Sequence, residues 1–110
     1  MIVSQAAAIP YRRNEKNGLE ILLVTSRRKG RWVFPKGKIK RVMKPHLAAA
    51  QEAFEEAGVL GLIDSQAIGV YRQQKLSEGA EQVIAIRAFP LLVNTQLQHW
   101  PEKGTRQRAG

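Results

Sequence analysis

Three observations on this 110-residue sequence predict a small α/β domain. Two apolar runs flank a polar turn, one later stretch repeats its apolar residues every three or four positions, and further branched runs follow it. A single domain over residues 1–110 is large enough for a real core. The 44% hydrophobic share against 25% charged residues suits a folded chain and excludes a disordered one.

The first residues, "MIVSQAAAIPYRRN", form an apolar run with no basic segment before it. The run is far too short to span a bilayer, so it is read as a strand over Gln5–Tyr11, with no membrane partner. "RRNEKNG" supplies a polar turn ending in Asn17-Gly18, and "LEILLVTS" returns as a buried strand, completing a hairpin. The segment "RRKGRWVFPKG" then joins basic residues to a short strand, Trp32–Phe34, and a Pro-Lys-Gly turn, and "KIKRVMK" continues it as a loop. Trp32 could stack on a base, but a tryptophan in an apolar strand is more often core, and it is read so.

Pro45 suits the first position of a helix, where its missing N–H would be unpaired anyway, and Gly58 suits the end. Between them Leu47, Ala50, Phe54 and Ala57 define a predicted core face, which places Glu52, Glu55 and Glu56 on another. "VLGLI", "AIGVYRQQ" and "EQVIAIRAFPLLV" read as further strands, with "KLSEGA" looping between the last two. The tail "EKGTRQRAG" reads as polar and loose.

Eighteen Lys and Arg against nine Asp and Glu give a net charge of +9, which points to polyanionic partners: phosphates, nucleic acid or an acidic surface. The absence of cysteine excludes disulfides, thiolate metal ligands and cysteine nucleophiles, and fits a cytoplasmic location. His46, expected to be exposed, and His99 have no partner at metal-ligand spacing.

In so basic a chain the three glutamates of "QEAFEEAGV" need a reason. Residues three and four apart on a helix have Cβ atoms about 5–6 Å apart, and two carboxylates at about 5 Å repel by roughly 3 kcal/mol at an effective dielectric near 20. Either all three face water or lysines, or they await a hard divalent cation such as Mg²⁺ or Mn²⁺. Spacing alone does not choose.

The longer pattern does. Gly37, five residues, Met43, seven residues, then Gln51-Glu52-Ala53-Phe54-Glu55-Glu56-Ala57-Gly58-Val59 resembles the box of the Nudix family, in which the positions of Met43 and Gln51 hold glutamate and arginine. The resemblance implies an α/β/α sandwich around a mixed sheet, with a loop–helix–loop over Gly37–Val59 that holds Mg²⁺ or Mn²⁺, and a closing helix that after Trp100 is short or missing here. It implies hydrolysis of a pyrophosphate linkage, with Glu52, Glu55 and Glu56 as the catalytic, metal-binding carboxylates and the backbone carbonyl of Lys36 as a further ligand. At Met43 and Gln51 both partners of one loop–helix interaction are lost together, which is milder than orphaning one charge. Glu78 and Glu81 are the later glutamates considered for the role of base, with loop solvation as the plainer reading.

Substrate choice lies outside the box. Arg27, Arg28, Arg31, Lys36 and Lys38 are the candidate substrate-binding residues, because a cluster of cations beside a phosphate-cleaving centre suits a small polyphosphate. "SRRKGRW", "FPKG" and the later "LQHW" are similar to the diphosphoinositol polyphosphate and diadenosine polyphosphate hydrolase branch. RNA 5′-pyrophosphohydrolases share these features, which makes RNA an alternative partner. A non-catalytic phosphate- or nucleic-acid-binding protein on the same scaffold is a third reading, although few aromatic residues are present to stack on bases. A bare apolar sheet face would favour a homodimer.

Overall fold

The computed structural model describes residues 2–16, 18–77 and 79–110. In chain order the elements are β1 (Ile2–Arg13), β2 (Leu19–Ile21), β3 (Leu23–Thr25), β4 (Trp32–Val33) and β5 (Lys36–Lys38). Then come α1 (Pro45–Ala57), β6 (Val59–Ile63), β7 (Gly69–Ser77), β8 (Ala80–Gln96) and β9 (Arg108–Ala109). Among the described residues α1 is the one helix, and it is not long and apolar enough to cross a membrane.

The 17-residue β8 is the spine of a mixed sheet. One edge pairs in parallel with β1 from Ile2↔Val83 to Tyr11↔Leu92. The other edge pairs antiparallel with β7 along its first half and with β6 along its second. β1 in turn pairs with β2, as the predicted hairpin requires, and with β5. The α/β class and mixed sheet are as the sequence implied.

Several expectations are corrected. "LEILLVTS" is two strands in two sheets, β2 on β1 and β3 in a small sheet with β4 and β9. The break follows from Pro10, whose carbonyl accepts the Leu22 N–H at 2.9 Å but which has no N–H to return, so the ladder ends there. The Pro-Lys-Gly turn is instead strand β5, started when the buried Pro35 accepts the Ala8 N–H at 3.0 Å. "KLSEGA" is largely strand, pairing down to Ser77↔Ala80, with Glu78 outside the described residues, as is Asn17 of the predicted first turn. The tail is ordered: residues 101–105 form turns in place of a helix, and β9 pairs with β3.

Helix α1 has the predicted bounds but a rotated face. Ala48, Ala49, Ala53, Ala57 and Glu56 are buried, whereas Leu47 is exposed and Ala50 and Phe54 are only half-buried. The sheet beneath explains this. Ala6 and Ala8 alternate toward the helix, and small residues on both sides let the backbones approach closely, which a Leu or Phe stripe would prevent. The core also takes Val24, Val59, Phe89 and Leu91, with Ile39 and Met43 packed at its rim. The opposite sheet face buries Ala7, Ile84 and Ile86 beneath Val3 and Phe34.

Candidate metal centre

Because α1 lies close on β1, the buried side of its last turns carries carboxylates to the edge of β5. Glu56 is 4% exposed; its Oε1 accepts the Lys36 backbone N–H at 3.3 Å, and its Oε2 lies 3.8 Å from Arg106 Nη2. Glu52, one turn earlier, is half-buried and hydrogen-bonded to the Glu56 carboxyl. Burial first, and then the shared hydrogen bond with Glu52, push Glu56 up to about 8 against the opposing pull of Arg106. Burial raises Glu52 as well. The two carboxyls titrate as a pair.

Gly37 makes room for this pair. A Cβ at that position would stand 2.5 Å from the Glu52 carboxyl carbon, so any other residue displaces the carboxylate. Pairing of β5 with β1 places Ala6 opposite Gly37 and Ala7 opposite Lys36. Bonding alternates along an antiparallel ladder, and Pro35 is bonded to Ala8, so both backbone groups of Lys36 face away from β1. The N–H there reaches Glu56, and the carbonyl shares that edge. Burial lowers the Lys36 ammonium from its usual range while Glu56 raises it, and its Nζ lies 3.4 Å from Gln5 Oε1.

These donors fit a hard divalent cation. Burial raises both carboxyls, and the one arginine near them supplies only part of the positive charge that their ionised forms would need. Among the described residues no three His, Cys, Asp or Glu side chains already stand at metal-ligating spacing. A carboxylate pair beside a backbone edge is a donor type that hard divalent cations accept, since such ions can keep several waters and take only one or two protein carboxylates.

The other predicted residues fall as follows. Glu55 is half-buried and accepts from Gln51 Nε2 at 3.4 Å, so Gln51 still steadies a box carboxylate, while Met43 packs on the core. Arg27 is engaged with Glu102 at 3.0 Å. Arg28, Arg31 and Lys38 are exposed and make no ion pair with the glutamates among the described residues. Glu81 lies exposed near the tip of the β7–β8 hairpin. His46 is half-buried beside Phe89, 6.3 Å between rings, rather than exposed, and Trp32 is 48% exposed rather than core.

Sequence reasoning missed Glu102 and Arg106. Arg106 Nε donates to Glu102 Oε1 at 2.7 Å and its Nη1 to the Thr25 carbonyl at 2.9 Å, which aims the guanidinium at Glu56. The available sign was their four-residue spacing in a tail that has no other acid.

Fold and site together define an α/β domain whose helix lays a carboxylate pair against a glycine-bearing strand edge. The chain belongs to the Nudix family, matching the model of the NUDIX domain over residues 3–106. It is similar to "Nudix hydrolase 17, mitochondrial" of Arabidopsis thaliana, 34% identical over 91% of this chain and 57% of that protein. It is also similar to "Diphosphoinositol polyphosphate phosphohydrolase 3-alpha" of Mus musculus, 32% identical over 89% of this chain and 56% of that protein. The chain spans about half the length of the curated relatives it matches. Among solved structures, a MutT protein from Methanosarcina mazei superposes with a TM-score of 0.71 at 19% identity, covering 96% of this chain and 75% of that one. A C. elegans Ap4A hydrolase gives 0.64 at 20%, covering 98% and 80%. At these identities the likeness to the solved structures is one of fold.

Proposed function

We propose that this chain catalyses divalent-metal-dependent hydrolysis of a pyrophosphate linkage in a polyanionic substrate of the diphosphoinositol polyphosphate or diadenosine polyphosphate type. The observation that carries this reading is the Glu52–Glu56 carboxyl pair, its inner member buried, set against the backbone of Lys36. Glu52 and Glu56 are assigned as direct ligands, with Glu55 beside them and the Lys36 carbonyl as a further donor. When bound, Mg²⁺ or Mn²⁺ supplies charge neutralisation at the pyrophosphate oxygens and a lowered pKa for the attacking water.

The chain's own groups do the rest. The Lys36 N–H fixes one oxygen of Glu56, Gly37 leaves space for Glu52, and Arg106 offsets part of the negative charge. Arg28, Arg31 and Lys38, with Arg27, serve to gather substrate phosphates, in keeping with the net charge of +9. Family membership and the similarity to the mouse enzyme support the substrate class.

The test is phosphate release from diadenosine polyphosphates, nucleoside triphosphates, diphosphoinositol polyphosphates and 5′-triphosphate RNA, each with Mg²⁺, with Mn²⁺ and with chelator, beside Glu56→Gln. Metal-dependent turnover lost in the variant is the expected result. Turnover of the RNA alone would move the substrate class. Silence across the panel, with phosphate binding retained, would make the chain a binding protein.

A further inference from the structure

An outer strand offers its backbone to any extended chain, and folded proteins blunt such edges with short length, proline or a bulge. β7 has none of these. It runs nine residues, "GVYRQQKLS", holds no proline, and pairs with β8 in an unbroken register from Gly69↔Ala88 to Ser77↔Ala80. Among the described residues β8 is its one strand partner, so its other edge is open. Val70 and Leu76 stand bare on this strand, 61% and 75% exposed.

The order of the residues says what fits there. Turned end for end about Gln73, the strand meets itself over its whole length: Gly69 faces Ser77, Val70 faces Leu76, Tyr71 faces Lys75, and Arg72 faces Gln74. Each pair joins two odd or two even positions, so whichever alternate set turns its N–H and C=O outward meets the same set. The two bare apolar side chains lie opposite each other on one face. Neither cation faces a cation, and Lys75 is set against an aromatic ring. Sliding the pairing by two residues loses this match. One direction sets Arg72 against its own copy, and the other leaves Val70 beyond the end of the ladder.

We propose that β7 is the docking surface for a second copy of this chain, the two strands joining antiparallel about a two-fold axis at Gln73 so that the mixed sheet continues from one copy into the other. Such a contact uses the same surface on both copies and closes on itself, which leaves no edge of β7 for a third chain. A peptide of another sequence would use the same backbone groups without matching this register. The net charge of +9 on each copy opposes the contact, so association strengthens with salt.

The chain has no cysteine, so one engineered thiol reports the register. Sedimentation velocity of the full chain over a ~100-fold range of concentration, at low and high salt, is expected to show a monomer–dimer equilibrium that salt tightens. Val70→Lys and Leu76→Lys should each weaken it at least ~10-fold while the circular dichroism spectrum stays that of wild type. Under mild oxidation Gln73→Cys should give a covalent dimer, because the two Cβ atoms would stand about 4.5–5.5 Å apart. Leu76→Cys should not, since its copies would lie about 20 Å apart along the strands. A monomer at every concentration, a dimer that salt dissociates, lysine variants that associate like wild type, or equal cross-linking through positions 73 and 76 would each overturn the proposal.

Discussion

In the metal-free protein, Glu56→Gln is expected to flatten the dependence of thermal stability on pH while removing turnover. The Glu56 carboxyl rises from its ordinary value of 4.5 to about 8, chiefly through burial. A carboxyl raised by folding contributes stability that is fully present below about 4.5 and is lost as pH rises through about 8, because the folded state holds the proton more tightly. At about 1.4 kcal/mol per pKa unit the whole window is worth about 5 kcal/mol, of which roughly 3 falls between pH 5 and 8. At about 4 °C per kcal/mol for a domain of this size, the wild-type midpoint should drop on the order of 10 °C relative to the variant over that range.

Glutamine can still accept from the Lys36 N–H but carries no proton to lose, so the difference between the two curves isolates the Glu52–Glu56 pair. The assay is thermal unfolding by circular dichroism in chelator at pH 5, 6, 7 and 8. Mg²⁺ added at pH 8 should restore the wild type and leave the variant unmoved, since only the ionised carboxylate gains from the cation. Parallel curves for the two proteins, or a wild-type midpoint that rises with pH relative to the variant, would refute the reasoning.

Two backbone positions give further predictions. Gly37→Ala should leave stability within about 1 kcal/mol, because the atoms it crowds are the far end of Glu52, yet weaken Mn²⁺ binding at least ~10-fold by turning that carboxylate away; a cation titration followed by calorimetry decides it. Gly58→Ala should cost about 2–4 kcal/mol in urea unfolding. Its φ of 66° strains any side chain, and a Cβ there would stand 2.6 Å from the Trp100 ring.

Features set by local chemistry were legible in the sequence. Helix α1 begins at Pro45 and stops before Gly58, whose left-handed backbone and N–H to the Phe54 carbonyl, 3.0 Å, end it as its residue type suggested. The carboxylate cluster was legible because it is contiguous. Features set by a distant partner were not. Which face of α1 is buried depends on Ala6 and Ala8, some 40 residues away in sequence, and apolar periodicity favoured the bulkier stripe. Gly37 looks like a turn residue until Ala6 is placed opposite it. Trp32 looks like core until its strand proves to be an outer strand of a small sheet.

The tail was the largest miss, and it bears on the site. The last four carbonyls of a helix have no partner within it. In α1 the Phe54 carbonyl is met by Gly58, but the next three are met from the tail. Glu102 N–H reaches Glu55 at 2.9 Å, Trp100 Nε1 reaches Glu56 at 3.0 Å, and Arg108 Nη1 reaches Ala57 at 2.8 Å. The helix has no basic residue in its own last turn, so the positive charge that complements its C-terminal dipole comes from Arg106 and Arg108. Arg108 lies 4.0 Å over the Trp100 ring, which ties two of these contacts together. The turn that carries Glu55 and Glu56 is thus held from two distant parts of the chain, by β5 at the Glu56 side chain and by residues 100–108 at the backbone. A carboxyl with so raised a pKa would relax toward water if its turn could fray, and this double hold keeps it in place for a cation.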